Sequence, residues 1–365
     1  MSTHEEWMLL AYHLAKATEG QTSPNPMVGA VVVKEGRVIG TGVHLRAGTP
    51  HAEVHALNMA GTEAEGSTLY VTLEPCDHYG RTPPCTERII RSGVKRVVVG
   101  SLDPDKRVSG RGIRRLSDAG IEVITGVLEK ECLQLNEAYF HHRRTGKPFV
   151  TLKMAMTLDG KIATPGGDSR WITGEVARRH VHELRHRADA ILVGVGTVLA
   201  DNPRLTTRLP AGGKHPLRVI VDSRLRTPVD AAVTETEEAS TWIFTTDLRD
   251  RAKERKLLEK GVQVISTGPG PRVDWERVLE VLGDAGILSL LVEGGGEVNA
   301  SLLREGRVQK VIAFLAPKLL GGRRSPTAVE GEDPAKMADA LELANLQVEQ
   351  FGDDLCVTGY VVDRK

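Results

Sequence analysis

The chain has 365 residues, 40% apolar and 26% charged, with 48 Lys and Arg matched by 48 Asp and Glu. A net charge of zero argues against a general nucleic-acid binder, which needs a cationic surplus, though it leaves room for a local basic groove. No apolar run approaches the ~18 residues of a membrane span. Four cysteines are too few for a disulfide scaffold, and the N-terminus lacks the basic and apolar regions of a secretion signal; free or metal-bound thiols in the cytoplasm are expected.

Residues 5–18 carry apolar positions at helical spacing. "SPNPMVGAVVV" reads as a turn followed by a strand, and "RVIGTGVH" as a second strand. "TPHAEVHALNMAG" predicts a short helix with Thr49 as N-cap and Pro50 in its first turn, and "TPPCTERIIRSG" repeats the Thr-Pro device. "TLYVTLEPC", "VKRVVVGS" and "IEVITG" are strands, with helices near 111–119 and over 129–140. The basic stretch "HHRRTGKP" marks a boundary, giving domains 1–145 and 146–365, in keeping with about 150 residues per domain. Beyond it, "FVTLKMAMTLDGKIA", "AILVGVG", "LRVIVDS", "TWIFTT", "VQVIST", "SLLVEGGG", "KVIAFLA" and "LCVTGYVV" are strands. Helices are expected over 174–188 and 297–305, and loops at 209–216 and 266–274. The alternation of strands and helices predicts an α/β fold with mostly parallel sheets.

Cys76 and Cys85 could form a disulfide, but the expected compartment disfavours it. As zinc ligands they need a nitrogen partner, with a fourth position left to water. "HAEVH" offers His51 and His55. An H-E-x-x-H site would place the glutamate next to the first histidine, whereas Glu53 stands two residues after His51. H-x-E followed by P-C is the zinc-deaminase order, although eight residues separate the cysteines here instead of two. His51, Cys76 and Cys85 are therefore the expected ligands, and His55 is left as a core residue or a support for the site. Glu53 is the expected proton carrier between the attacking water, the ring nitrogen and the leaving ammonia. The helix starts at His51 and Cys85 would favour a thiolate. Buried thiols beside a helix histidine are the plainer reading of the same residues.

In the second half, "LLVEGGGEVNASLL" and "ILVGVGTVLADNP" both end a strand in glycines before a helix. Such turns can hold a phosphate on backbone amides, but neither is a G-x-G-x-x-G fingerprint. Together they favour a nucleotide cleft.

"TSPNPMVGAVVV", "HAEVHAL", "LEPCDHYGRTPPC" and "SGRG" resemble the deaminase half of the bifunctional riboflavin-biosynthesis deaminase/reductases. "TLKMAMTLDGKIA", "GDSRWITG", "LVGVGTVLADNPRLTTR", "VEGGGEVNASLL" and "APKLLGG" resemble the reductase half. The resemblance implies a cytidine-deaminase-like three-layer domain and a dihydrofolate-reductase-like α/β domain, one Zn2+, and NADPH. It makes the long loop between the cysteines expected. It implies that Asn25, His44, His78 and Arg81 meet a diaminopyrimidinone carrying a ribosylamino 5′-phosphate. It also implies substrate contacts from Lys153, Ser169, Arg185, Leu205, Arg208 and Glu293, with Arg185 and Arg208 suited to the phosphate. Ala155, Trp171, Thr197, Asp201, Ser223 and the run Gly295, Gly296, Glu297, Val298, Asn299, Ala300 and Ser301 would contact NADP. Lys153, Asp201 and Glu293 are candidate proton donors for a hydride transfer to ribose C1. The chain departs from the family at Asp77, where Ser is usual, at Asp105, where Asn is common, and at Thr157 and Gly174, where serines are usual.

The resulting expectation is two consecutive steps, deamination and then reduction of the ribosyl to a ribityl chain. The partner is a small phosphorylated pyrimidine, with no nucleic acid and no membrane, in a homo-oligomer (dimer or tetramer). The alternatives are an RNA- or nucleoside-editing zinc deaminase fused to a nucleotide-binding domain, and a non-enzymatic zinc module. Only 4% aromatic residues speaks against the first, and Glu53 against the second.

Overall fold

In the computed structural model, residues 3–79, 83–103 and 109–362 are described, and they form two units, Met1–Gly146 and Lys147–Lys365. The first contains α1 (Thr3–Lys16), β1 (Gly29–Lys34), β2 (Arg37–Val43), α2 (Ala52–Ala60), β3 (Thr68–Leu73) and α3 (Cys85–Arg91). It continues with β4 (Arg96–Ser101), α4 (Arg111–Asp118), β5 (Glu122–Thr125), α5 (Glu129–Leu135) and α6 (Glu137–Thr145). The strands lie in the order β2-β1-β3-β4-β5. β1 is antiparallel to both neighbours, while β3, β4 and β5 are parallel. Glu35 and Gly36, both at positive φ (51° and 73°), make the tight β1–β2 reversal that matches strand twist. Met8 and Ala11 of α1 pack on Val31, Val33, Tyr70 and Val98.

Glycines set how closely the helices approach this sheet. A methyl group on Gly40 or Gly42 of β2 would lie 2.2 Å from the Ala56 carbonyl oxygen or 2.1 Å from that of Ala52. Helix α2 therefore rests directly on β2, and no larger residue fits there. Two expectations are corrected in this unit. Thr49 does not cap α2: its hydroxyl donates to the Arg46 carbonyl, and His51 holds the N-cap position without a side-chain cap bond. The single helix over 129–140 is two helices, because buried Asn136 leaves helical geometry. Its amide pairs with the Met27 backbone, accepting from the N–H at 2.8 Å and donating to the carbonyl at 2.9 Å.

The second unit contains β6 (Phe149–Thr157), α7 (Glu175–Arg187), β7 (Ala190–Gly194), α8 (Val195–Asp201), β8 (Leu217–Val221) and β9 (Thr241–Thr245). Then come α9 (Arg251–Glu259), β10 (Gln263–Ser266), α10 (Trp275–Asp284), β11 (Ser289–Val292), α11 (Gly296–Arg304), β12 (Lys310–Ala316), β13 (Leu343–Phe351) and β14 (Asp354–Val361). Nine strands run in the order β10-β9-β8-β7-β11-β6-β12-β14-β13. All pairs from β10 to β12 are parallel, and the β13–β14 hairpin is antiparallel. The central strand β7 is buried on both faces, by Ala190 and Leu192 on one and Ile191 and Val193 on the other. β13, α8, α9 and α10 are additions to the sequence reading. β13 is an edge strand exposed along most of its length, so "LANLQVEQF" carries no burial pattern. α9 buries only Leu257; its cap Asp250, like Asp274 before α10, accepts from the first backbone amides.

Candidate active sites

In the first unit, β3 ends at Leu73 and the chain runs through Glu74 and Pro75 to Cys76. His51 stands at the start of α2 and Cys85 at the start of α3, so both face a helix N-terminus. His51 Nδ1 lies 3.1 Å from Cys85 Sγ and 3.5 Å from Cys76 Sγ, and the three ligand atoms lie within 4.8 Å of one another. One nitrogen and two sulfurs, brought together without a fourth protein ligand among the described residues, are the donor set of a catalytic zinc site. The acidity of the sulfurs agrees. Cys76 is held down to about 4 by hydrogen bonds from Cys85 and His51, against the opposing effect of burial. Cys85 moves up, because it donates to that thiolate and is itself buried. His51 is raised by the same Cys76 bond.

Glu53, in the first turn of α2, is 3% exposed, and its Oε2 has no hydrogen-bond partner. Burial pushes its carboxyl up to about 7. A carboxylate there costs free energy until something beside it can donate or accept a proton. The His55 Nε2 is also buried without a partner; the ring lies outside the ligand set, on the face of α2 that Gly42 touches.

Two of the expected substrate residues lie beside the ligands. Asn25 Nδ2 is 2.9 Å from His44 Nε2, and His44 Nδ1 is 3.3 Å from the Pro50 carbonyl. A neutral imidazole protonated on Nδ1 satisfies both bonds, and burial lowers the His44 pKa. The His44 ring packs edge-on against His51 at 5.4 Å. His78 is exposed. Arg81 and Asp105 lie outside the described residues.

Two residues that pattern reading missed shape this loop. Glu74, 4% exposed, accepts from the backbone N–H groups of Gly110 at 3.0 Å and Gly112 at 3.1 Å, fastening the start of α4 to the ligand loop. Arg115 of α4 donates to Asp77 Oδ1 at 2.6 Å and to Glu87 at 3.2 Å. Asp77 also accepts from Thr86 Oγ1 at 2.6 Å. The carboxylate that stands where a serine is usual thus clamps the loop between α3 and α4. A glutamate ending an otherwise apolar strand was the available signal for Glu74; nothing local marked Arg115.

The second unit holds two polar centres. Glu293, at the end of β11, accepts from Arg185 Nε at 2.7 Å and Nη2 at 3.0 Å, and lies 3.5 Å from Lys153 Nζ. Arg185 and Lys153 hold the buried Glu293 carboxyl down to about 2 in spite of burial. Arg185 also donates to the Thr206 carbonyl at 3.3 Å. Its Nε and Nη2 are thus engaged by Glu293 and its Nη1 by Thr206. Arg208 is exposed next to it, with its pKa lowered by burial and by Arg185 and Arg204. His182, which was not anticipated, accepts from the Arg208 N–H at 3.2 Å; burial, then Arg185 and Arg208, push it down to about 4. This corner is electropositive and suits an anion. The Leu205 side chain is buried in the core with Ile191 and Val193 and has a positive φ of 55°, so only its backbone faces the corner. Ser169 lies in the loop before α7 and is partly buried.

The second centre is a cavity of about 540 Å³ between the β7–α8 turn, the loop after β8 and the start of α11. Gly194, Gly196, Ser223, Glu297, Val298 and Ser301 line it, with Trp275 and three arginines, Arg224, Arg226 and Arg272. The two glycine-rich turns do meet: a methyl on Gly194 would lie 2.7 Å from Val298 Cγ2, and one on Gly295 would lie 3.9 Å from Thr197 Oγ1. Ser301 Oγ accepts from Trp275 Nε1 at 2.8 Å. Part of the expected cofactor run points elsewhere. Asn299 donates to the Ala328 carbonyl at 2.8 Å, and Gly296 and Ala300 face residues 327–331. Ala155 packs with Phe314. Trp171 is 62% exposed under Arg178, whose guanidinium is 4.4 Å from the ring centre. Asp201 offers its carbonyl to Arg170.

Residues 148–357 match the RibD C-terminal domain family, and residues 1–101 match the cytidine and deoxycytidylate deaminase zinc-binding region. The riboflavin biosynthesis protein RibD of Bacillus amyloliquefaciens is 47% identical over 361 residues, 99% of this chain and 97% of that protein. That of Aquifex aeolicus is 47% identical over 353 residues, 97% of each. The structure of Acinetobacter baumannii RibD matches with a TM-score of 0.89 at 38% identity, over 99% of both chains. A diaminohydroxyphosphoribosylaminopyrimidine deaminase/5-amino-6-(5-phosphoribosylamino)uracil reductase from Thermotoga maritima matches with a TM-score of 0.85 at 39% identity, over 98% of this chain and 99% of that one. These matches bear out the expected order of a deaminase domain and a reductase domain and leave no place for the editing-enzyme alternative. With its zinc-binding region, its reductase domain and full-length relatives at this identity, the chain belongs to the RibD family of riboflavin-biosynthesis enzymes, which join a deaminase and a reductase in one polypeptide.

Proposed function

We propose that the first unit deaminates a diaminopyrimidinone bearing a ribosylamino 5′-phosphate, and that the second reduces the ribosyl of the product to a ribityl chain with NADPH. The observation that carries the first half is the unpartnered, buried Glu53 oxygen beside an open set of one nitrogen and two sulfur donors. His51, Cys76 and Cys85 would hold zinc, which when bound lowers the pKa of a coordinated water into the neutral range. Glu53 takes the water proton and returns it to the ring nitrogen and then to the departing ammonia. A pKa near 7 suits a group that must both accept and donate. Asn25 and His44 present polar edges to the pyrimidine, and Asp77 fixes the loop that carries His78.

In the second unit, the cavity beside α11 receives the dinucleotide, which supplies the hydride. Glu293 is held ionised by Arg185, so it orients and does not donate a proton at neutral pH. Lys153, whose ammonium faces Glu293, is then the proton donor at the sugar. Arg208 takes the substrate phosphate. The test uses the two reactions separately: Glu53→Gln should stop consumption of the diamino compound but leave NADPH oxidation with the deaminated compound intact. Retention of both rates would defeat the deaminase assignment, and loss of both would show a folding defect, checked by far-UV circular dichroism.

A further inference from the structure

The segment 202–216 joins α8 to β8 without forming helix or strand, so its backbone groups need partners elsewhere. Helix α7 supplies them. Arg185 donates to the Thr206 carbonyl at 3.3 Å, His182 Nδ1 accepts from the Arg208 N–H at 3.2 Å, and His186 Nδ1 accepts from the Lys214 N–H at 2.9 Å. The three residues are spaced three and four apart along α7 and so share one face. His215 closes the segment on itself, its Nδ1 accepting from the Thr207 N–H at 3.2 Å. Gly213 fits tightly into this clasp: a methyl group there would lie 3.0 Å from both His186 Nδ1 and Thr207 Cγ2. Three imidazoles thus do for a loop what a neighbouring strand does in a sheet.

His182 is the member of the clasp that bears on the chemistry. An imidazole accepts at Nδ1 only when that nitrogen carries no proton. Burial, then Arg185 and Arg208, hold the ring at about 4 against Glu293 and the Thr206 carbonyl, so the acceptor is present at neutral pH. Arg208 is exposed and makes no side-chain hydrogen bond or ion pair among the described residues. Its guanidinium is therefore aimed from its root. Leu205, Thr206 and Thr207 before it are buried, Leu205 at a φ of 55°, and its own amide is tied to α7. A long side chain with a fixed root loses less freedom when it meets an anion. We infer that His182 is a positioning residue of the reductase site: its Nδ1 holds the Arg208 backbone N–H and so directs the guanidinium to the substrate phosphate. This rests on the proposed reading of Arg208 as the phosphate ligand.

Steady-state NADPH oxidation by the full-length, zinc-loaded protein, with the deaminated phosphorylated compound, tests it. His182→Leu should raise KM for that compound about tenfold and leave kcat and the KM for NADPH nearly unchanged. His182→Asn, whose Oδ1 stands in for Nδ1, should bring KM back to within about twofold of the native value. Arg208→Ala should raise KM further, and His182→Leu added to it should change little, because the histidine acts through the arginine. A native KM in His182→Leu, a fall in kcat at unchanged KM, no rescue by asparagine, or effects of the two variants that multiply would each overturn the inference while the reading of Arg208 stands. An unchanged KM in Arg208→Ala would overturn that reading and the inference with it. Far-UV circular dichroism checks the fold. Where His182→Leu does not fold, His182→Gln, whose amide lies one bond farther out, takes its place and should raise KM in the same way.

Discussion

The two units bury the same functional group under opposite conditions. Glu53 sits beside His51, Cys76 and Cys85 with one unpartnered oxygen, and burial pushes it up to about 7. Glu293, whose side chain is 10% exposed, lies beside Arg185 and Lys153, and these hold it down to about 2. Burial alone favours the neutral acid, and a cation at hydrogen-bond distance overcomes burial. The difference separates a carboxyl that can move a proton near neutrality from one that stays charged and holds its neighbours in place.

The largest effect should come from abolishing proton transfer. Glu53→Gln keeps the shape of the side chain and removes its acid–base function, so deamination should fall by about 10²–10⁴-fold, followed as ammonia release. Glu293→Gln should act through the fold as well as the reaction. It leaves Arg185 buried without its anion, and the second unit should lose about 3–5 kcal/mol in urea unfolding. If the variant were as stable as the native chain, the contrast drawn between the two carboxyls would be wrong.

Acid provides a subtler test. The folded pKa of Glu293 lies below its ordinary value of 4.5, at about 2. Its ionised form therefore stabilises the native state fully above pH 4.5, and that contribution is lost as pH falls from 4.5 towards 2. Glu293→Gln should remove this part of the acid dependence, measured as the difference in unfolding free energy between the two proteins over that interval. The smallest effect belongs to the loop clamp. Asp77→Ala frees Arg115 and Thr86 from a partly exposed ion pair of small energetic weight. It should raise KM for the diamino compound a few-fold, with zinc content and the reductase rate unchanged. Arg115→Ala should give the same KM change without additivity.

Much of this was legible before any coordinates. His51, Cys76 and Cys85, which the structure brings together, and Glu53 were readable from residue type and from the H-x-E and P-C order, although the cysteine spacing departs from the motif. The buried parallel strands were readable because they are continuous apolar runs. What escaped was set by long-range contact. Asn136 breaks a helix for the sake of Met27, 109 positions away. Arg115 finds Asp77 across 38 positions. Arg185 bonds Glu293, 108 positions later, a pairing that no local pattern marks. Asn299 belonged to a cofactor motif, yet its side chain turns to Ala328. β13 had no apolar pattern because an edge strand in water needs none.

The glycines of β2 carry a consequence for how this protein can vary. The place of Glu53 relative to the metal ligands is fixed by atoms that are missing from a neighbouring strand: α2 lies where it does because Gly40 and Gly42 leave room for the Ala56 and Ala52 carbonyls. A single added methyl at Gly42 would push the whole helix, and His51 and Glu53 would move together, so the ligand and the proton carrier share one mutational fate. Random mutagenesis scored for deamination should therefore find β2 intolerant at these two positions, although neither residue touches a substrate.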